Sequence, residues 1–375
     1  MIITRGSLFQ PARFMGVRLT TTAITGSVPS DRTTQSSLKD YWTLSKGHLS
    51  VWVALSALPG YLVCSPFSLP VASAVLAGTA LASASSQALN QIRESERDAK
   101  MSRTRNRPIP CGRISVDSAR RFAALTATAG CGLLTAAASG SLAPAAISLS
   151  TIGLYVNVYT PMKTRSEYNT HVGAVAGSLP VLIGFACAAG FPIFLTPEPW
   201  VLLTLQTIWQ FPHFYPLAWL YRDDYTAGGY RMFPLNDATG KDTARICMPY
   251  MGVLWALPFA SCAIGATSWM FAVSGSAANA LWSKQWLSFY TRPSKASAKT
   301  FFLGSLWYLM LIMGLYVVHL NEQEGSELHH WRKRLKAKMS KLCVHEREAA
   351  DLMVPASLCP ALPKVSKTPC SSDPV

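Results

Sequence analysis

Asn90-Gln91-Ile92-Arg93-Glu94-Ser95-Glu96-Arg97-Asp98-Ala99-Lys100-Met101-Ser102-Arg103-Thr104-Arg105-Asn106-Arg107-Pro108 is a densely polar stretch that directly follows a long apolar run. A helix advances about 100° per residue, so Asn90, Glu94 and Asp98 fall on one face of it. Three oxygen-bearing side chains in a row at an apolar boundary suit a hard divalent cation such as Mg²⁺. Arg103 and Arg107 follow within about two turns, and guanidinium forks suit phosphate oxygens. Acids, a metal and bases layered in this way match the needs of a diphosphate leaving group.

Outward from this block the chain is short of charge. Of its 375 residues 50% are hydrophobic and 14% charged, where a soluble domain carries about 25% charged residues. No Asp, Glu, Lys or Arg occurs from Phe122 to Met162, from Ile246 to Ser283, or from Thr300 to Asn321. Each stretch exceeds the roughly 20 apolar residues that cross a bilayer. The pattern predicts an all-α integral membrane protein with nine spans, at roughly 48–64, 70–92, 117–137, 143–160, 170–190, 199–221, 246–265, 268–287 and 301–320. Only Ala266-Thr267 separates the seventh from the eighth, so one long broken helix is the alternative there. Gly, Ala and Ser crowd spans two to five, and small residues let helices approach closely in lipid.

Charge orients the bundle. The connections after spans two, four, six and eight hold nearly all the basic residues between the first and last span, and the other connections hold no Lys or Arg. By the positive-inside rule these even loops and the N-terminus share one compartment, opposite the odd loops and the C-terminal tail. Residues 1–40 form an arm with Arg5, Arg13, Arg18 and Arg32, many Ser and Thr, and Asp31 as its one acid before Asp40. That is the mitochondrial transit pattern, with a disordered cytoplasmic arm as the alternative. A transit segment makes the basic compartment the matrix and the membrane the inner mitochondrial one. Residues 41–320 are the membrane domain. The tail, 321–375, carries the basic run His329 to Lys338, fit for a membrane surface, and then turns Pro-, Ser- and Lys-rich, as disordered segments are.

A second polar block ends span six: Tyr221-Arg222-Asp223-Asp224-Tyr225-Thr226-Ala227-Gly228-Gly229-Tyr230-Arg231-Met232. Asp223 and Asp224 lie on the basic side, as the first block does. Two acidic blocks at matching ends of even spans can face each other across a bundle and hold Mg²⁺ against both sides of a diphosphate. Gly228-Gly229 allow a sharp turn or a close backbone approach. Other chemistry finds no support. The nine cysteines are scattered, with no Cys-x-x-Cys and no zinc spacing. No Gly-x-Gly-x-x-Gly or Walker motif occurs. The net charge of +15 is accounted for by the arm, the one-sided loops and the tail, with no sign of nucleic-acid binding.

With Leu44-Ser45-Lys46, Tyr159-Thr160-Pro161-Met162-Lys163 and Trp209-Gln210-Phe211-Pro212-His213-Phe214 added to the two acidic blocks, the chain resembles the UbiA-type intramembrane prenyltransferases and, within them, the heme-farnesylating branch. The resemblance covers roughly residues 41–320. It implies a nine-transmembrane-helix bundle with a central cavity open on the acidic face. It implies farnesyl diphosphate and heme b as substrates, heme O as product, and Mg²⁺ as cofactor. Heme O leads on to heme A and cytochrome oxidase, so heme A synthase and oxidase assembly factors join membrane lipid as implied partners.

Residue by residue, Asn90, Glu94 and Asp98 match the first metal-binding motif, and Asp223 and Asp224 stand where the second belongs, with Asn90, Asp98 and Asp224 central to catalysis. Arg103, Arg107, Lys163 and Arg222 are candidates to hold the diphosphate. His213 is a candidate for heme contact, as an axial ligand or near the reacting vinyl group; a hydrogen bond to a neighbouring helix is the plainer reading. Gly47-His48 and Tyr215-Pro216 depart from the family pattern. Two rival functions stay open at this point: prenylation of an aromatic quinone precursor, and a non-catalytic inner-membrane scaffold.

Overall fold

The computed structural model describes residues 37–65 and 67–320. Most of the expected transit arm and the whole tail from 321 lie outside the described residues.

The described chain is helical. In order come α1 (Leu38–Leu44), α2 (Gly47–Cys64), α3 (Leu69–Asp98), α4 (Val116–Ala137) and α5 (Ala143–Gly153). A π-helical turn (Leu154–Tyr159) runs from α5 into the short α6 (Thr160–Met162). Then follow α7 (Asn169–Ala189), α8 (Glu198–Leu220), α9 (Arg222–Ala227), α10 (Lys241–Ala263), α11 (Trp269–Thr291) and α12 (Lys295–Val318). Among the described residues there is no β-strand, only an isolated antiparallel bridge between Thr267 and Leu320. Five of the helices, α2, α3, α7, α10 and α12, are long and apolar enough to cross a membrane.

Local chemistry sets the boundaries. Ser37 and Asp40 cap α1 reciprocally, and Ser294 and Ser297 do the same for α12. Ser115 caps α4 through the Ser118 amide. Between α10 and α11 the chain breaks at Gly265, where φ is +75°, so the apolar run is two helices. Helix α3 exceeds its expected end at 92 by six residues and carries the whole first acidic motif as its last turns. At about 1.5 Å per residue its 30 residues reach about 45 Å, beyond a hydrocarbon core of about 30 Å. The polar turns therefore extend past the apolar layer.

Small residues bring the helices together, as expected. A Cβ on Gly184 of α7 would lie 1.9 Å from the Ala57 carbonyl oxygen of α2, and one on Gly60 would lie 2.2 Å from that of Val181. Gly78 of α3 and Gly130 of α4 face each other in the same way, at 3.0 and 2.8 Å from the opposite carbonyl. Apolar lipid gives no hydrophobic drive between helices, so contact of this closeness carries the packing. Helices α7, α8, α10, α11 and α12 share an aromatic core that includes Phe185, Trp219, Trp282, Phe301 and Tyr308. A smaller cluster of Leu44, Ala88, Ile109, Ile114, Ala119 and Ala123 binds α1, the α3–α4 connection and α4 beside the acidic end of α3.

Candidate active site

The last turns of α3 present Asn90, Glu94 and Asp98 on one buried face, with exposures of 0%, 4% and 0%. Buried carboxylates need partners, and each has one. Asn90 Nδ2 donates to Glu94 Oε2 at 2.5 Å, and Lys163 Nζ donates to Glu94 Oε1 at 2.8 Å. Arg107 donates to Asp98 Oδ2 at 2.7 Å. The connection that carries Arg107 is folded back by Thr104, whose hydroxyl donates to the Asp98 carbonyl. Asp98 Oδ1 is buried with no hydrogen-bond partner among the described residues.

Lys163 owes its position to the π-helical turn. That turn places Tyr155 and Tyr159 so that the ammonium lies 4.6 Å from the Tyr159 ring centre and 5.9 Å from that of Tyr155, with Tyr230 at 5.9 Å on another side. Burial works against the charge on Lys163, but Glu94 and the tyrosines outweigh it and raise its pKa well above the ordinary lysine value. The Arg231 amide donates to the Lys163 carbonyl at 2.7 Å, which ties the second polar block to the first.

The second block docks on the connection after α3. Asp224 Oδ1 accepts from the Ser102 amide at 3.1 Å and from its hydroxyl at 2.7 Å. The Ser102 hydroxyl holds the Asp224 carboxyl below the usual carboxylate range, with Arg103 assisting. Arg103 lies over the rings of Tyr221 and Tyr225, at 4.8 and 5.6 Å. Gly229 turns the chain at φ +70°, and Gly228 abuts Met101.

A cavity of about 520 Å³ opens beside these groups. Lys46, Glu94, Asp98, Arg103, Arg107 and Lys163 form its charged wall, and Trp209, His213, Phe214, Phe302, Leu306 and Met310 are among its apolar lining. Of the residues singled out from sequence, the structure brings Glu94, Asp98, Arg103, Arg107, Lys163 and His213 to this one cavity. Asn90 sits behind Glu94, and Asp224 reaches the site through Ser102.

Asp223 and Arg222 stand apart from this cavity. The Asp223 side chain is 89% exposed and pairs with Arg222 at 3.8 Å. Neighbouring positions on a helix point about 100° apart, so with Asp224 turned to Ser102, Asp223 turns to solvent. Arg222 lies over the Trp219 ring at 5.3 Å and does not line the cavity. No three His, Cys, Asp or Glu side chains group as metal ligands among the described residues; Lys163 and Arg107 engage the first-block acids.

Lys46 was assigned no role from sequence. It starts α2 in the left-handed conformation, φ +45°, and this turn directs it to the charged wall. Burial, with Arg107 and Lys163 nearby, lowers its pKa to about 7. Its signal in the sequence was its place in the Leu44-Ser45-Lys46 block just before an apolar span. Tyr155 and Tyr159 were legible as an i, i+4 pair before Lys163, and Ser305, which contacts His213, carried no signal at all.

The chain matches the UbiA prenyltransferase family over residues 51–310. It is 35% identical over 290 residues to the mitochondrial protoheme IX farnesyltransferase of Arabidopsis thaliana, a match that covers 76% of this chain and 66% of that one. It is 35% identical over 286 residues to the protoheme IX farnesyltransferase of Opitutus terrae, covering 76% of this chain and 95% of the relative. The chain spans less than two thirds of the mitochondrial relatives it first matches, 66% and 56% of their length, and 95% and 98% of two bacterial relatives. Among solved structures, a UbiA homolog from Archaeoglobus fulgidus bound to GPP and Mg²⁺ superposes with a TM-score of 0.54 at 14% identity, over 74% of this chain and 99% of that one.

Proposed function

The chain belongs to the UbiA prenyltransferase family, among the protoheme IX farnesyltransferases, and on that premise we propose that it transfers a farnesyl group from farnesyl diphosphate to a vinyl group of heme b, giving heme O for heme A and cytochrome oxidase. One observation carries the reading. A single cavity joins a wall of buried carboxylates and four cations to an apolar, aromatic interior. Such a cavity suits a diphosphate joined to a long hydrocarbon.

The residues supply the chemistry in a plain way. Arg103, Arg107, Lys163 and Lys46 offer donors to the diphosphate oxygens, and Arg does so with a planar fork. Breaking the allylic C1–O bond leaves the electron pair on the diphosphate, where these cations stabilise it. The apolar wall excludes water from the allylic cation. The terminal vinyl carbon bonds to C1, and a water then adds to the adjoining carbon and gives up a proton. No strong base is needed for the carbon–carbon step.

Asn90, Glu94 and Asp98 fit a Mg²⁺ ion by the chemistry of their donors. All are oxygen ligands, and Asp98 Oδ1 is a buried acceptor without a hydrogen. Bound there, Mg²⁺ would neutralise charge developing on the leaving group. Asp224 would act from the second block, through its hold on Ser102 and Arg103. Asp223 and Arg222 are left out of the site on the grounds of their orientation.

We further propose that α2, α3, α4, α5 with its continuation to Met162, α7, α8, α10, α11 and α12 lie in the inner mitochondrial membrane as one nine-span bundle around a central cavity, with the charged wall on the matrix side. Residues 1–40 would direct import. The test is a heme extract, separated and weighed by mass spectrometry, from a host lacking its own heme O synthase. Heme O with this chain and none with Asp98→Asn is the expected result. A membrane-inserted protein that makes no heme O, or that rescues quinone synthesis in its place, would overturn the proposal.

A further inference from the structure

Trp209 and His213 stand about one turn apart on α8, and both reach Ser305 of α12. The Trp209 indole N–H donates to the Ser305 carbonyl at 2.8 Å, and His213 Nδ1 lies 2.6 Å from the Ser305 hydroxyl oxygen. The imidazole stacks on Trp209, with ring centres 4.6 Å apart and planes at 24°. Phe302 and Phe214 close in at 4.9 and 5.0 Å. The ring is thereby held on its face and at one edge.

The direction of the His213–Ser305 bond decides the tautomer. A serine hydroxyl has a single proton. Ser305 gives it to the Phe302 carbonyl, one turn back, at 2.5 Å. Two oxygens that close would repel without a proton between them. The Ser305 oxygen therefore accepts from His213, and the proton in that contact belongs to Nδ1. A neutral imidazole with a proton on Nδ1 carries its lone pair on Nε2. Among the described residues no hydrogen bond engages Nε2, and His213 lines the cavity.

We propose that Ser305 is a positioning residue that fixes His213 as the Nδ1–H tautomer, so that Nε2 serves as an axial ligand to the iron of the heme substrate. This rests on the reading of heme as the prenyl acceptor. Metal-binding histidines commonly donate their other ring N–H to a fixed acceptor, which sets both tautomer and ring orientation. Ser305 fills that part, because its own proton is committed elsewhere. Ligation at the iron would anchor the macrocycle at its centre and leave its vinyl-bearing edge free to react. The sequence offered heme contact or a helix-to-helix hydrogen bond for His213. The two are compatible, since each uses a different nitrogen.

The test is a titration of the purified full-length protein with ferrous heme b, read by its visible absorption bands. The parent should saturate with the spectrum of histidine-ligated heme. His213→Gly should lose that spectrum and regain it with added imidazole. Ser305→Ala should weaken heme binding roughly ten-fold or more. If His213→Gly binds heme with the parental spectrum and affinity, the inference is overturned while the heme-acceptor reading stands. If His213→Gly does not accumulate, Ser305→Ala decides alone, and parental affinity and spectrum in that variant overturn the inference. If the parent itself shows no saturable heme binding, the heme-acceptor reading falls and takes this inference with it.

Discussion

Arg107 donates to one oxygen of Asp98 at 2.7 Å, while the other oxygen of the same carboxylate is buried without a partner among the described residues. The two halves of that carboxylate thus do different work. One anchors the connection after α3, and the other offers an acceptor next to the cavity. Asp98→Asn keeps the shape and an acceptor for Arg107 but removes the charge. We expect heme O formation to fall at least 100-fold, with the thermal unfolding midpoint little changed. A midpoint that collapses together with activity would mean that the pair is structural only.

Helix contact makes an independent prediction. A methyl on Gly184 would meet the Ala57 carbonyl oxygen at 1.9 Å, whereas one on Gly252 would meet nothing within 4 Å. Gly184→Ala should force α2 and α7 apart and lower the unfolding midpoint by several degrees, or prevent accumulation. Gly252→Ala should be neutral or stabilise by about 0.5–1 kcal/mol, the usual helix gain. Equal midpoints for the two variants would refute close α2–α7 packing.

Lys46 predicts a pH dependence. Its pKa falls from 10.5 in the unfolded chain to about 7 in the folded protein. Between those values the unfolded chain binds more protons, so the contribution of this group to stability rises with pH across that window. Below about pH 7 the folded protein bears the full cost of a half-buried, desolvated ammonium that has no carboxylate partner among the described residues. Lys46→Met, without diphosphate present, should therefore raise the unfolding midpoint more at pH 6 than at pH 9. A gain that is the same at both would show that Lys46 is not desolvated.

How far the site could be read from sequence depended on whether its logic is local. Asn90, Glu94 and Asp98 share a helix face by spacing alone, and spacing is visible in a string of residues. The pairing of Glu94 with Lys163 joins α3 to the end of a π-helical turn, and no local period encodes it. Asp223 and Asp224 look equivalent in sequence, and only the rotation of α9 separates them. The same holds for the end of α3: a change in polarity marks where a helix leaves an apolar layer, and the helix itself continues while its charged residues find partners. Ser305 is one serine in an apolar run, and nothing but the fold sets it against His213.

The rotation of α9 can be tested through two arginines, Arg222 at its start and Arg103 packed against its Tyr225. Arg103 lines the cavity and lies between Tyr221 and Tyr225, and Arg222 lies over Trp219 outside it. A charge-assisted hydrogen bond contributes about 1.5–3 kcal/mol, which corresponds to roughly a 10- to 100-fold change in affinity. Arg103→Ala should therefore raise the KM for farnesyl diphosphate by at least ten-fold. Arg222→Ala and Asp223→Ala should leave it within about two-fold, because an exposed pair at 3.8 Å contributes little. Steady-state kinetics in reconstituted membranes measure both. A large effect at Arg222 with none at Arg103 would mean that α9 turns its other face to the substrate, and that Asp223, not Asp224, belongs to the site.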